Sequence, residues 1–104
     1  PSSYDNKMIS KKWKPNTDEI MNKWKEILFN IEDFNSQTIE TNFKDFLSSN
    51  ELGFGAVLLP FRILVTGVGA GPGMFDIAAF LGKKEVLSRM ESGLHHITKI
   101  KDEA

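Results

Sequence analysis

The sequence predicts a mainly helical domain, and three observations carry that expectation. Asn16 followed by Glu19 forms an N-cap and capping-box signature ahead of Ile20, Trp24, Ile27, Leu28 and Ile31. A second apolar stripe with the same three- and four-residue steps follows after a short break, and Pro72-Gly73 and Gly82 delimit two further helical patterns. At 104 residues the chain is the size of one ordinary domain; such a chain buries roughly two-thirds of its unfolded surface, enough for one modest core.

Residues 1–15 (PSSYDNKMISKKWKP) are polar and basic, with Lys7, Lys11, Lys12 and Lys14 set around Trp13, and read as a solvated linker or the tail of an upstream element. The start at Pro1-Ser2-Ser3, with neither methionine nor an apolar signal segment, fits a piece excised from a longer cytoplasmic protein. The first amphipathic helix then runs from Asn16. Asp33-Phe34-Asn35-Ser36 interrupts it with turn and capping residues, and Ile39, Phe43, Phe46 and Leu47 mark a second helix ending near Ser48-Ser49-Asn50. Trp24 and the phenylalanines of this pair are read as core rather than as a platform for stacking bases.

From residue 51 the composition changes. Between Glu51 and Asp76 the only charge is Arg62, while six glycines (53, 55, 67, 69, 71, 73) and two prolines (60, 72) punctuate the run. No membrane span is available, because Pro60, Arg62 and the glycine cluster break the apolar stretch well short of the ~20 residues required. Residues 57–65 (VLLPFRILV) are ambiguous: their β-branched content favours a strand, and their length also allows a short buried helix. Beyond them Met74, Phe75, Ile77, Ala78, Phe80 and Leu81 form a helix with Pro72 at its first position, Gly82 stops it, and 83–97 form another. Residues 99–104 are expected to fray, leaving 16–98 as the folded domain.

Net charge is −1, with seven basic and eight acidic residues in 1–50 and six of each in 51–104, so no broad basic face announces a sequence-blind nucleic-acid binder. The absence of cysteine removes disulfides, thiolate nucleophiles and cysteine-based zinc sites. His95 and His96 point about 100° apart on a helix and do not suit one metal. No serine sits in a nucleophile elbow, and the carboxylate pairs Glu32-Asp33 and Asp102-Glu103 lie in loop or terminal positions without an apolar pocket to separate their acidities. No catalytic residue and no metal ligand is expected in this segment.

The sharpest feature is Thr66-Gly67-Val68-Gly69-Ala70-Gly71-Pro72-Gly73, whose alternating glycines allow close approach to the main chain. Neither register fits G-x-G-x-x-G, since Pro72 and Met74 stand where glycine is needed, and the G-K-[ST] ending of a phosphate-binding loop is missing. A nucleotide-binding domain is therefore disfavoured against a turn that opens a helix. Arg62, alone in its apolar surroundings, must either pair with Asp76 or face a ligand, and its planar fork suits base edges and phosphates. The residues alone leave both roles open.

Residues 59–67 (LPFRILVTG), then Gly71-Pro72-Gly73-Met74-Phe75, then 81–90 (LGKKEVLSRM), closely resemble in order and register the ending of bacterial glutamyl-tRNA synthetases. Residues 11–50, with a Lys-Lys-Trp-Lys lead-in, are similar to the helical pair that precedes this motif, so the resemblance covers about 90% of the chain. It implies an all-α fold, a compact bundle of about five short helices, and reverses the strand reading of 57–65. It also implies the non-catalytic C-terminal anticodon-binding domain of a class I glutamate–tRNA ligase, supporting ATP-dependent attachment of glutamate to tRNA-Glu. Carried over by position, the tRNA anticodon-binding residues are Arg62, Gly71, Pro72 and Met74, with Phe54 on the approach. The implied partners are the tRNA-Glu anticodon loop and upstream synthetase domains, with no DNA and no membrane. ATP and magnesium would belong to the parent enzyme and not to this segment.

The chain departs from the family pattern in places. Gly71 replaces a threonine found in some relatives, exchanging a hydroxyl contact for a backbone one, and Phe61 and Met74 replace leucines. Lys7-Met8-Ile9-Ser10-Lys11 echoes the Lys-Met-Ser-Lys-Ser loop of class I synthetases only with an inserted isoleucine, and is read as accidental. The alternative function is a helical protein-interaction or dimerisation module presenting the apolar region 52–75.

Overall fold

Every repeating element is a helix among the described residues of the computed structural model, which cover the backbone of 3–103 and side chains as far as 100. There are six: α1 (Asn6–Lys12), α2 (Thr17–Phe29), α3 (Ser36–Ser49), α4 (Phe54–Thr66), α5 (Met74–Leu81) and α6 (Lys83–Glu103). The all-α expectation holds, with one helix more than the five foreseen.

The additional helix, α1, occupies the stretch read as linker or tail. Asp5 caps it by accepting from the Met8 amide at 3.0 Å, and Ile9 is buried in the common core. The capping box expected at α2 does not form. The Asn16 side chain makes no cap hydrogen bond, Glu19 instead lies 3.7 Å from Lys23, and the turn is closed by Lys14 N donating to Thr17 Oγ1 at 3.0 Å. At α3 the expected cap is present, Asn35 Oδ1 accepting from the Thr38 amide at 2.9 Å.

Residues 57–65 lie inside α4, which settles their ambiguity. A strand would have put alternate residues on opposite faces, whereas Val57, Pro60, Phe61, Leu64 and Val65 are all buried at helical spacing. Pro60 removes the amide that would have bonded the Ala56 carbonyl. That loss is tolerable because Ala56 lies at the exposed beginning of the helix. Gly67 ends α4 in the left-handed region (φ 86°) and donates to the Ile63 carbonyl at 2.8 Å. Pro72 is not the first residue of α5; Gly73 is its N-cap, and the proline stands one place earlier. Gly82 stops α5 as expected, and α6 runs on to Glu103.

The core is built around Trp24. Its ring meets Phe43 edge-on at 5.0 Å, Phe61 edge-on at 5.6 Å and Phe46 in a stack at 5.9 Å, so α2, α3 and α4 share one aromatic nucleus. Reading these rings as core is therefore correct, although Phe29 and Phe80 remain on the surface. The α4 helix packs mainly on α6, α2 lies against both, and α3 supports α5. The radius of gyration, 12.8 Å, matches the ~13 Å of a compact chain of this length, and the burial of Ile9 with the Asp5–Gly67 bond docks α1 on the bundle.

Gly93 lets α6 approach α4. A Cβ there would lie 2.6 Å from Leu64 Cδ2 and 3.3 Å from Leu64 Cα, and Leu64 is fully buried. Gly93→Ala is expected to lower stability by about 1–3 kcal/mol despite alanine's higher helix propensity, because overpacking outweighs that gain. Gly55→Ala meets nothing within 4 Å and is expected to raise stability by roughly 0.5–1 kcal/mol. Urea unfolding midpoints of the two variants should move in opposite directions.

Candidate nucleic-acid interface

The end of α4, the loop 67–73 and the start of α5 form one continuous surface. Arg62 is half-buried on α4, and its Nη1 donates to the Pro72 carbonyl at 2.8 Å. Among the described residues it forms no ion pair with Asp76, so the structural role left open by the sequence is filled by a backbone carbonyl. That bond occupies one of five guanidinium donors and leaves most of the fork for a ligand.

The loop is tied down at several points. Thr66 Oγ1 donates to the Arg62 carbonyl at 2.8 Å and lies 3.3 Å from the Val68 amide, which donates to it. The Asp5 amide donates to the Gly67 carbonyl at 2.7 Å, anchoring the loop to the beginning of α1. At Gly69 a Cβ would come within 3.1 Å of Met8 Cε and 3.3 Å of Leu59 Cδ1, so the main chain runs closely over both side chains. Gly71 adopts φ 153°, and a Cβ there would sit 3.2 Å from Arg62 Nη1. A side chain at this position would require a different backbone, so the glycine presents main chain here.

Gly71, Pro72 and Gly73 are exposed. Phe54 is 44% exposed and meets Phe75 edge-on at 6.4 Å, bringing an open aromatic face to the first turn of α5. Met74 behaves differently: it is 2% exposed and contributes to the core, supporting the loop from beneath. Arg62, Gly71 and Pro72 are thus brought together, Phe54 stands beside them through Phe75, and Met74 is withdrawn. Sequence reasoning missed the parts played by Thr66, Phe75 and Asp5. The Thr-Gly pair at the end of α4 signals the first; nothing local signals that Asp5 reaches Gly67.

The other features are chemically plain. No three His, Asp or Glu side chains converge in a way that could hold a metal, and no helix is long and apolar enough to cross a membrane, among the described residues. The apolar region 52–75 is not presented to a partner as the alternative required: Val57, Pro60, Phe61, Ile63, Leu64, Val65 and Met74 are buried.

Gly71→Ala is expected to displace the arginine, because the new methyl group competes with Nη1 for the same space and the backbone must leave its glycine-type conformation, at a cost of about 1–2 kcal/mol. Amide hydrogen exchange over 67–73 should accelerate in this variant and stay unchanged in α2 and α3.

Known proteins match this chain along nearly its full length. The sequence profile of a family described as an anticodon binding domain matches residues 1–94. A glutamate–tRNA ligase of Flavobacterium johnsoniae is 46% identical over 94 residues, 90% of this chain and 19% of that protein. The corresponding ligase of Pelodictyon phaeoclathratiforme is 36% identical over 98 residues, 94% of this chain and 20% of the relative. The crystal structure of a glutamate tRNA ligase from Elizabethkingia meningosepticum, in complex with its amino acid, superposes with a TM-score of 0.87 at 29% identity, covering 93% of this chain and 19% of that one. The chain therefore spans about one-fifth of the length of the relatives it matches.

Proposed function

The chain belongs to the anticodon-binding domain family of glutamate–tRNA ligases, and from that premise we propose that Arg62 and the 67–73 loop hold the unstacked anticodon bases of tRNA-Glu. The parent protein is then an ATP- and magnesium-dependent ligase acting in the cytoplasm. This domain supplies binding energy for tRNA selection, while upstream domains activate glutamate and carry out the transfer.

One observation carries the reading: the Arg62 guanidinium is fixed to the Pro72 carbonyl with most of its donors unused, beside a loop of exposed main chain. Single-stranded bases are recognised by stacking, by hydrogen bonds to their edges and by close backbone contact. Phe54 offers a partly exposed ring, Arg62 offers an oriented fork, and Gly71-Pro72-Gly73 offer a backbone that a base can approach. Met74 acts indirectly by holding the first turn of α5 in the core. The weak net charge is compatible with this role, since base reading at a loop does not need the broad basic face of a sequence-blind binder.

In the full-length ligase Arg62→Ala should raise the KM for tRNA-Glu by roughly tenfold to a hundredfold, the loss of an anchor worth about 1–3 kcal/mol, with glutamate activation unchanged. Wild-type protein should prefer tRNA-Glu over a copy with an altered anticodon, and the variant should lose that preference. Equal affinity of the wild type for both RNAs contradicts the assignment.

A further inference from the structure

A second surface emerges where the sequence suggested only solvated chain. Lys11, Lys12 and Lys14 line a groove of about 380 Å³ whose other wall includes Gly55, Ala56 and Leu59 of α4. The backbone that carries these lysines is fixed, and their side chains are exposed. Lys11 and Lys12 lie in the last turn of α1, and Lys14 opens a turn fixed by Trp13 Nε1 donating to Asp18 at 2.6 Å and by Lys14 N donating to Thr17 Oγ1.

The ion pairs of the described residues are Lys23–Glu19, Lys44–Glu40 and Arg89–Glu85, and none involves the three lysines. Among the nearby acids Glu19 pairs with Lys23, Asp5 caps the far end of α1, and Asp18, held by Trp13, leaves a carboxylate beside the three lysines. A nearly neutral chain thus concentrates three positive charges on one groove. The opposite wall is small at Gly55 and Ala56, both exposed, so a bulky backbone can enter.

The groove is also in line with the arginine site. Gly55, Leu59, Arg62 and Thr66 follow one another at helical steps along the part of α4 that is not buried. Leu59 lines the groove and also underlies Gly69 of the loop. From Gly55 to Arg62 the helix advances about 10 Å, so an extended polynucleotide strand can touch both at once.

We propose that the groove between α1 and the first half of α4 seats the sugar–phosphate backbone of the anticodon arm whose bases the loop holds. This rests on the anticodon-binding reading and adds to it a sequence-independent grip: lysines are compact charges suited to phosphate oxygens, whereas Arg62 is placed to read bases.

The test is a salt titration of tRNA binding by the full-length protein carrying Lys11→Gln, Lys12→Gln and Lys14→Gln together, with the triple Lys→Arg variant as control. Losing three phosphate contacts should flatten the slope of log K against log salt by about 2 and weaken binding roughly tenfold to a hundredfold near 0.1 M salt. The loss should be equal for tRNA-Glu and its anticodon-altered copy, and the arginine variant should retain the wild-type slope. An unchanged slope and affinity in the glutamine variant overturn the groove, as does a loss confined to the cognate anticodon. Either result leaves the Arg62 assignment standing if wild-type discrimination persists. Conversely, a flattened slope without any anticodon preference keeps the groove and removes the base-reading site.

Discussion

The burial of α4 is the constraint on which the rest of the structure depends. Six of its thirteen residues are buried, between Val57 and Val65, and they fill the space among α2, α3 and α6. Each large apolar side chain withdrawn from water contributes about 1.5–3 kcal/mol, so the helix has one favourable rotation about its axis. That rotation decides where Arg62 points. Turning α4 by one residue would carry the arginine towards the Trp24 nucleus, where an unpaired guanidinium costs several kcal/mol. The position of the only charge between Glu51 and Asp76 is therefore set by packing, and the hydrogen bond to Pro72 refines it.

The loop depends on this helix in turn. Gly67 can end α4 only because it reaches a left-handed conformation, and its carbonyl is then free to accept from Asp5. Thr66, Leu59 and Met8 support the main chain from below, and Arg62 closes it from above. The N-terminal helix is consequently part of the same unit: its Asp5 and Met8 brace the loop, its Ile9 joins the core, and its lysines border the groove on α4.

Much of this was legible in the residues because periodicity reports burial. The stripes of α3 and α6, the Asn35 cap that opens α3 and the stop at Gly82 appear where the spacing places them, whereas α2 ends at Phe29, before Ile31, and buries Met21 with Trp24 and Leu28. The failures have specific physical causes. In 57–65 both periods fit a run that is apolar nearly throughout, and the distinction lies in packing that the local sequence does not carry, with α4 set closely against α6 at Gly93. The Asn16 box lost to Thr17, which satisfies the preceding turn instead. For α1, a lone Ile9 among polar residues gives too weak a stripe, and its docking depends on contacts across sixty residues of sequence. The motif match points to Arg62, Gly71, Pro72 and Met74 alike, and only the structure separates Met74, which is buried, from the exposed main chain beside it.

The central claim is that the surface around Arg62 meets the anticodon. A photoreactive side chain substituted for Phe54, which is exposed beside the first turn of α5, tests this directly when the full-length protein is irradiated with tRNA-Glu and the adducts are mapped by primer extension. The account predicts adducts on the anticodon nucleotides that disappear when unlabelled tRNA-Glu is added in excess. Adducts confined to the acceptor stem, or none above those formed with an unrelated tRNA, would contradict it.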